Sequence, residues 1–194
     1  STDKTLDIIK NFKALSVKII SNDKNQGSYT NYLLMVDFAI KHTAYDYFLF
    51  GDVDDLYDKN YLRILVKILE ENHQSVVAMP SCLVHLTNIN GDIIRTQQVS
   101  YSILENRLSV FTISFCMINE TNRQFCMLVR SLIRQKYLSV LLPSYPCYYS
   151  VEEFVSVIAM YLGGISTTHQ VLHTKYAVQA PVVERKLADL EDIY

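Results

Sequence analysis

The sequence predicts an α/β protein in which helices cover both faces of a mostly parallel central sheet, a three-layer αβα sandwich. Two observations support this prediction. Helical and strand patterns alternate along residues 1–80, and the strand patterns are continuous apolar runs, which are typical of strands buried on both faces. With 194 residues, of which 49% are hydrophobic, the chain can form one domain with a substantial core.

The first part of the chain reads helix, strand, helix, strand, helix, strand. The predicted helices are STDKTLDIIKNF, residues 31–41 and DKNYLRILVKILEENH. In the third helix we expect Asp58 as the N-cap, and an apolar stripe formed by Leu62, Leu65, Val66 and Leu69. The predicted strands are LSVKIIS, YDYFLF and SVVAMP, which are rich in β-branched and aromatic residues.

The pattern changes near residue 81, and we divide the domain there into residues 1–80 and 81–194, with both halves sharing one sheet. The segment CLVHLTNINGDIIRTQQV predicts two strands around a turn at Asn90-Gly91. RQFCMLVRSLIRQK and VEEFVSVIAMYLGG predict helices, and Gly163-Gly164 ends the second. TTHQVLHTKYAV predicts a strand, and APVVERKLADLEDIY predicts a terminal helix.

Composition excludes several classes of protein. The net charge of −2 and the pI of about 6.2 give no basic field for nucleic acid. No apolar run reaches the roughly 18 residues that a membrane-spanning helix needs, and the polar N-terminus is not a signal peptide. The four cysteines lack C-x-x-C spacing, which favours free thiols and a cytoplasmic location, although disulfides stay open as an alternative.

A cluster of acids follows the predicted strand in YDYFLFGDVDDLYD. Asp52, Asp54 and Asp55 stand where the strand ends, and ligands bind at the carboxyl ends of strands in open parallel sheets. Neighbouring carboxylates repel one another unless a cation joins them, and Mg²⁺ or Mn²⁺ binds carboxylates together with substrate phosphates. We therefore predict a cation-and-phosphate site; the alternative is a solvated turn that caps the next helix.

The segments STDKTLDIIKNF, NDKNQGSYTNYLLMVDFAI and YDYFLFGDVDDLYDKNYLRILV resemble the nucleotide-sugar-binding half of a family-2 glycosyltransferase of GT-A fold. The resemblance covers residues 1 to about 80, and the first strand of that fold is expected to be absent from this chain. It implies that Asp54 binds Mg²⁺ or Mn²⁺ directly, with Asp55 in support, and that Asp52 lies near the ribose or the metal. It also implies that Ser1 to Asp3 form part of a nucleotide-binding turn, and that Asn25 and Gly27 shape the loop beside the nucleotide.

The family also places an acidic pair at the start of a helix in its C-terminal half, where the base of an inverting transfer lies. In YYSVEEFVSVIAMYLGG this resemblance implies Glu153 as the base with Glu152 beside it, unless both simply favour the positive end of the helix. In VLHTKYAV it implies His173 as an extra metal ligand or Lys175 as a phosphate contact, with an ordinary surface strand as the alternative. The loop PSYPCYYS carries Tyr145, Tyr148 and Tyr149, which either form an acceptor platform or simply bury area.

These expectations describe a metal-dependent, inverting glycosyltransferase that uses a nucleotide-diphosphate sugar, with UDP-sugar favoured, and a hydroxyl acceptor on a glycan or lipid. Cell-surface polysaccharide or glycolipid synthesis, with peripheral association at the membrane's inner face, is the expected setting. Two alternatives stay open. One is a non-catalytic module of the same fold that binds a nucleotide-sugar or glycan. The other is a nucleotidyltransferase, which is disfavoured because no Gly-rich, basic phosphate loop is present.

Overall fold

The computed structural model describes residues 4–11, 23–24, 27–42, 44–51, 55–100, 130–141, 158–159 and 161–178. The chain forms two compact units, Ser1–Met35 and Val36–Tyr194. The first unit contains helix α1 (Thr5–Asn11), and helix α2 (Gly27–Lys41) includes the boundary between the units. Both helices were predicted, although α2 begins at Gly27 instead of Asn31. The predicted strand LSVKIIS and the predicted terminal helix lie outside the described residues.

The second unit contains one mixed, curled sheet with helices. Its strands are β1 (Tyr47–Leu49), β2 (Leu56–Tyr57), β3 (Val77–Thr87), β4 (Ile93–Val99), β5 (Leu132–Arg134) and β6 (Ile165–Val178). Their order is β1-β5-β3-β6-β2, with β4 on β3. Of the five pairings between described strands, only β3 with β6 is parallel. The α/β class is confirmed, but the described strands do not confirm a mostly parallel sheet.

The long strand β3 explains much of this difference. The sequence predicted a short strand ending at Pro80 and a separate hairpin, whereas β3 continues through Pro80 to Thr87. Its register against β6 shifts at Pro80–Ser81 and again at Ser81–Cys82, and such an irregularity accommodates a proline that cannot donate a ladder hydrogen bond. Beyond this point β3 pairs with β4 in the predicted hairpin, where Gly91 has a φ of +88°.

Helix α3 (Tyr61–Glu71) packs against the sheet with a stripe that differs from the prediction. Its buried residues are Tyr61, Leu65 and Leu69, which are spaced four residues apart, whereas Leu62 is 53% exposed. The N-cap is Asn60, not Asp58. The Asp58 carboxylate instead accepts a hydrogen bond from the Asn60 amide at 2.7 Å, so it stabilises the turn before the helix.

The segment RQFCMLVRSLIRQK was predicted to be a helix, and that prediction is wrong where the segment is described. Leu132–Arg134 form β5, which pairs antiparallel with both β1 and β3. Leu132 and Ile133 are buried there, so pairing between two strands overrides the helical spacing of the apolar residues. A 3₁₀ turn (Gln135–Tyr137) and the short helix α4 (Leu138–Leu141) follow.

The predicted helix stop at Gly163-Gly164 is confirmed. Residues 161–162 are helical, Gly164 has a φ of +107°, and β6 follows at once, as predicted. A Cβ on Gly163 would lie 2.1 Å from the Gln74 carbonyl oxygen, so only glycine fits there. The Val76 amide donates to the Gly164 carbonyl at 2.9 Å, which ties the start of β6 to the start of β3.

The core of the second unit lies between α3 and the sheet. Its buried cluster consists of Tyr61, Leu65, Leu69, Ala78, Leu132 and Leu172, which come from α3, β3, β5 and β6. Strand β1 is only half-buried, contrary to the expectation of burial on both faces. Among the described helices, none has the length and apolar character to cross a membrane.

Candidate functional site

The acidic segment is held at its C-terminal end by the sheet. Strand β2 begins directly after Asp55 and pairs antiparallel with β6, with Leu56 opposite Thr174 and Tyr57 opposite His173. The Asp58 amide continues this pairing by donating to the Leu172 carbonyl at 2.8 Å. Since strand side chains alternate between faces, this register places Asp55 and Tyr57 on the face that carries His173.

Asp55 is the buried acid of the cluster. Its side chain is 1% exposed, and its Oδ2 lies 2.9 Å from Nε2 of His173, whose side chain is also 1% exposed. This distance allows an ion pair when the imidazole is protonated. Arg130, just before β5, donates from Nε to the same Oδ2. The carboxylate therefore has a fully charged partner inside the protein, which burial of a charge requires.

The imidazole of His173 is packed between groups from three strands. Its ring stacks on Tyr57 of β2 with 5.1 Å between centroids, and its residue lies opposite Cys82 of β3. Burial lowers the pKa of His173, although contact with Asp55 opposes the shift. Nδ1 has no hydrogen-bond partner among the described residues. The ring is therefore neutral at pH 7 and keeps a nitrogen lone pair.

Two buried side chains with a titratable proton, Tyr61 and Cys82, interact electrostatically with Arg130. The Tyr61 hydroxyl donates to the Arg130 carbonyl, and Tyr61 contacts Tyr57 edge-on at 5.0 Å between ring centroids. Burial raises the pKa of Tyr61 and raises that of Cys82 to about 11, and the charge of Asp55 adds to both shifts. Both groups are therefore protonated at neutral pH. Arg130 is thus held by its backbone on one side and by its guanidinium on the other.

Of the predicted site residues, the structure brings Asp55 and His173 together. Lys175 follows on the same face of β6, half-buried; its charge adds to the lowering of the His173 pKa and opposes the rise of the Cys82 pKa. Gly27 begins α2, in the first unit. The other predicted positions lie outside the described residues; they are Ser1, Asp3, Asn25, Asp52, Asp54, Glu152, Glu153 and the tyrosines at 145, 148 and 149.

The described part of this site can supply metal ligands but does not form a complete metal site. No group of three or more His, Cys, Asp or Glu residues suited to a metal ion occurs in the described part of the chain. Asp55 Oδ1 and His173 Nδ1 are nevertheless buried and have no hydrogen-bond partner there. A carboxylate oxygen and a neutral imidazole nitrogen are suitable donors for Mn²⁺. The described residues therefore supply single donor atoms of a type that binds divalent ions, but no set of three that could hold an ion by themselves.

Sequence reasoning missed Arg130, Tyr57, Tyr61 and Cys82. Arg130 lies in a segment that was predicted to be a helix with other residues facing inward. The sequence therefore gave no indication that Arg130 is buried. No local signal identified this pairing, because the partner of Asp55 depends on how β5 pairs in the sheet. A separate cavity of about 700 Å³ lies near Tyr47, Glu70, Arg134 and Lys136, and the described residues that line it include no predicted site residue.

Comparisons with known proteins identify the family. None of the curated proteins compared with this chain matches it. The family model described as glycosyl transferase family 2 matches residues 1–138, which are 138 of the 194 residues and include the acidic cluster, Arg130 and β5. His173 and Lys175, on β6, lie beyond the matched residues. Because the match covers well over half of its length, the chain belongs to glycosyl transferase family 2.

Proposed function

We propose that this family-2 chain is a metal-dependent glycosyltransferase of GT-A fold that moves a sugar from a nucleotide-diphosphate donor to a hydroxyl acceptor. One observation supports it most directly. Asp55, at the end of the acidic segment, lies 2.9 Å from His173, which comes from a distant part of the chain. Two residues from separate segments, both of which the family resemblance implies for the metal site, are therefore in contact.

The arrangement suits recognition of a diphosphate. Asp54 and Asp52 are the proposed ligands of Mg²⁺ or Mn²⁺, which would neutralise the charge that develops on the departing nucleoside diphosphate. His173 supplies a neutral imidazole next to this segment. Lys175, two residues further along β6, adds a positive charge at the same edge and is the proposed phosphate contact.

Glu153, with Glu152 beside it, is the proposed base that removes the proton from the acceptor hydroxyl. Attack from the face opposite the departing diphosphate would invert the anomeric centre. Ser1, Asp3, Asn25 and Gly27 are proposed to contact the nucleotide, and UDP-sugar is the favoured donor. A glycan or lipid-linked acceptor at a membrane surface, in polysaccharide or glycolipid synthesis, is the proposed setting.

Calorimetry with UDP, with and without Mn²⁺, tests the donor half of this proposal. The wild-type protein should bind UDP only in the presence of Mn²⁺, and Asp54→Ala should abolish this binding. Asp37→Ala removes an exposed acid from α2 and serves as the matched control, which should bind like wild type. Unchanged Mn²⁺-dependent binding by Asp54→Ala would refute the proposed metal site.

Donor turnover tests the transfer half. Glu153→Gln should bind UDP and Mn²⁺ normally but lose about 100-fold or more in turnover, within the range expected for loss of a general base. A normal rate would move the base elsewhere. Binding by the wild-type protein without any hydrolysis or transfer would instead support a non-catalytic module that binds nucleotide-sugars.

A further inference from the structure

We propose that Arg130 is a positioning residue for metal binding, which acts by holding Asp55 and thereby fixing the C-terminal end of the acidic segment on the sheet. This inference rests on the proposed function. Arg130 is not itself a metal ligand. Its proposed role depends on its contacts with other residues of the protein.

The first argument is burial. The Arg130 side chain is 8% exposed and that of Asp55 is 1% exposed, so both charges are removed from water. The guanidinium Nε donates to Asp55 Oδ2, while the Arg130 carbonyl accepts from the Tyr61 hydroxyl. Tyr61 is itself 2% exposed at the start of α3. A buried ion pair is favourable only when its geometry is fixed, and here Arg130 is held at both its backbone and its side chain.

The second argument is the position of Asp55 in the chain. Its neighbour Asp54 is the proposed principal ligand, so the orientation of Asp55 constrains the peptide unit that joins the two residues. The pairing of Leu56 and Tyr57 with β6 extends this constraint on the other side of Asp55. The acidic segment is thus anchored to the sheet at Asp55.

The third argument is electrostatic. The acidic segment carries three carboxylates within four positions, Asp52, Asp54 and Asp55. The Arg130 guanidinium lies against the carboxylate of Asp55 and offsets its charge. The C-terminal end of the segment is therefore held on the sheet by the attraction between two opposite charges.

Arg134, the last residue of β5, provides a matched control four positions after Arg130. It also donates from Nε, but to the Ser75 carbonyl at 2.9 Å, and its Nη2 donates to the Leu69 carbonyl. These partners lie at the C-terminal end of α3 and just beyond it. Loss of Arg134 therefore removes hydrogen bonds of comparable type without touching the acidic segment.

The experiment measures Mn²⁺ affinity by electron paramagnetic resonance in the presence of UDP, for wild type, Arg130→Gln, Arg130→Lys and Arg134→Gln. Arg130→Gln should raise the dissociation constant by about tenfold or more, as the loss of an outer partner of a metal ligand does. Arg130→Lys should recover part of the affinity because it keeps the charge. Arg134→Gln should stay within about twofold of wild type, even though it is destabilised.

Wild-type affinity in folded Arg130→Gln would overturn the inference. If that variant does not fold, Arg130→Lys carries the test, because it keeps the charge that faces Asp55 but not the planar guanidinium that positions the carboxylate. It should fold and bind Mn²⁺ more weakly than wild type, and wild-type affinity in it would then overturn the inference. Absence of Mn²⁺ binding in wild type would refute the proposed function itself, a result that the wild-type sample alone reveals.

Discussion

The two ends of β5 carry arginines in contrasting surroundings. Arg130, before the strand, pairs with the buried carboxylate of Asp55. Arg134, its last residue, is half-buried, donates to two backbone carbonyls near the end of α3, and lies 5.8 Å from the centroid of the Tyr47 ring. Two arginines four positions apart thus have different partners. Arg130 neutralises the full charge of a carboxylate, and Arg134 interacts with the partial charges of backbone carbonyls.

The two arginines differ in how specific their electrostatic partners are. Carbonyls at the C-terminal end of a helix carry a partial negative charge and attract any nearby cation, so the Arg134 end needs no particular acid. The Arg130 end is specific, because a full charge needs an opposite charge with matching geometry. Specific charge pairing in a buried region next to the acidic cluster is what we expect of a functional site.

The largest effect should follow from breaking the ion pair. Asp55→Asn keeps the shape of the side chain but removes the charge that faces Arg130, and it should destabilise the protein by about 3 to 5 kcal/mol. Urea unfolding measures this change. Asp37→Asn, which breaks the exposed pair with Lys41, should cost less than about 1 kcal/mol. Equal losses in the two variants would show that burial of Asp55 has no energetic consequence.

A smaller effect should follow at the other end of the strand. Arg134→Gln weakens two charge-assisted hydrogen bonds to carbonyls that water can partly reach, and it should destabilise the protein by about 2 kcal/mol. Urea unfolding of this variant, beside Asp55→Asn, compares the two ends directly. A loss of stability that equals or exceeds that of Asp55→Asn would show that the Arg134 hydrogen bonds stabilise the protein at least as much as the Asp55–Arg130 ion pair.

The smallest effect should appear at alkaline pH. Burial raises the pKa of Cys82 from 9.0 to about 11, so between these values the unfolded chain loses the thiol proton first and binds fewer protons than the folded chain. Stability must then fall as the pH rises from 9 towards 11. Cys82→Ala should show a shallower decline in unfolding midpoint over this range. Part of the slope should persist, because burial also raises the pKa of Tyr61.

A Cys82→Ala curve parallel to that of wild type would contradict this assignment. Tyr61→Phe is the companion variant, because it removes the other buried acid of the Arg130 end together with its hydrogen bond to the Arg130 carbonyl. The two variants combined should flatten the decline further than either alone.

The sequence predicted those elements whose signals are local. The helices α1, α2 and α3, the Asn90-Gly91 hairpin, the Gly163-Gly164 stop and strand β6 were all predicted from periodicity and turn residues. Strand β5 was not, because the spacing of its apolar residues fits a helix and its pairing with β1 and β3 is a long-range property. The extension of β3 through Pro80 was missed because a register shift cannot be read from composition.

The residues of the candidate site also divide into those that could be predicted from the sequence and those that depend on long-range pairing. The position of Asp55 at a strand end and the suggestion of His173 came from the sequence and its resemblance, and the structure brings the two together. Arg130 could not be identified, because its partner depends on how β5 pairs in the sheet. The roles of Asp52, Asp54, Glu152 and Glu153 stay predictions, since these residues lie outside the described part of the chain.

The close approach of Gly163 to Gln74 has a consequence for how this chain can vary in length. It fixes where β6 starts, and from His173 onward β6 keeps a regular register with β3, so the face on which each of these residues projects depends on the length of the chain before it. One added residue directly before Leu172 would move the leucine into the position of His173 and turn the imidazole away from Asp55. Insertions in this stretch should therefore survive only in pairs or where a bulge absorbs them.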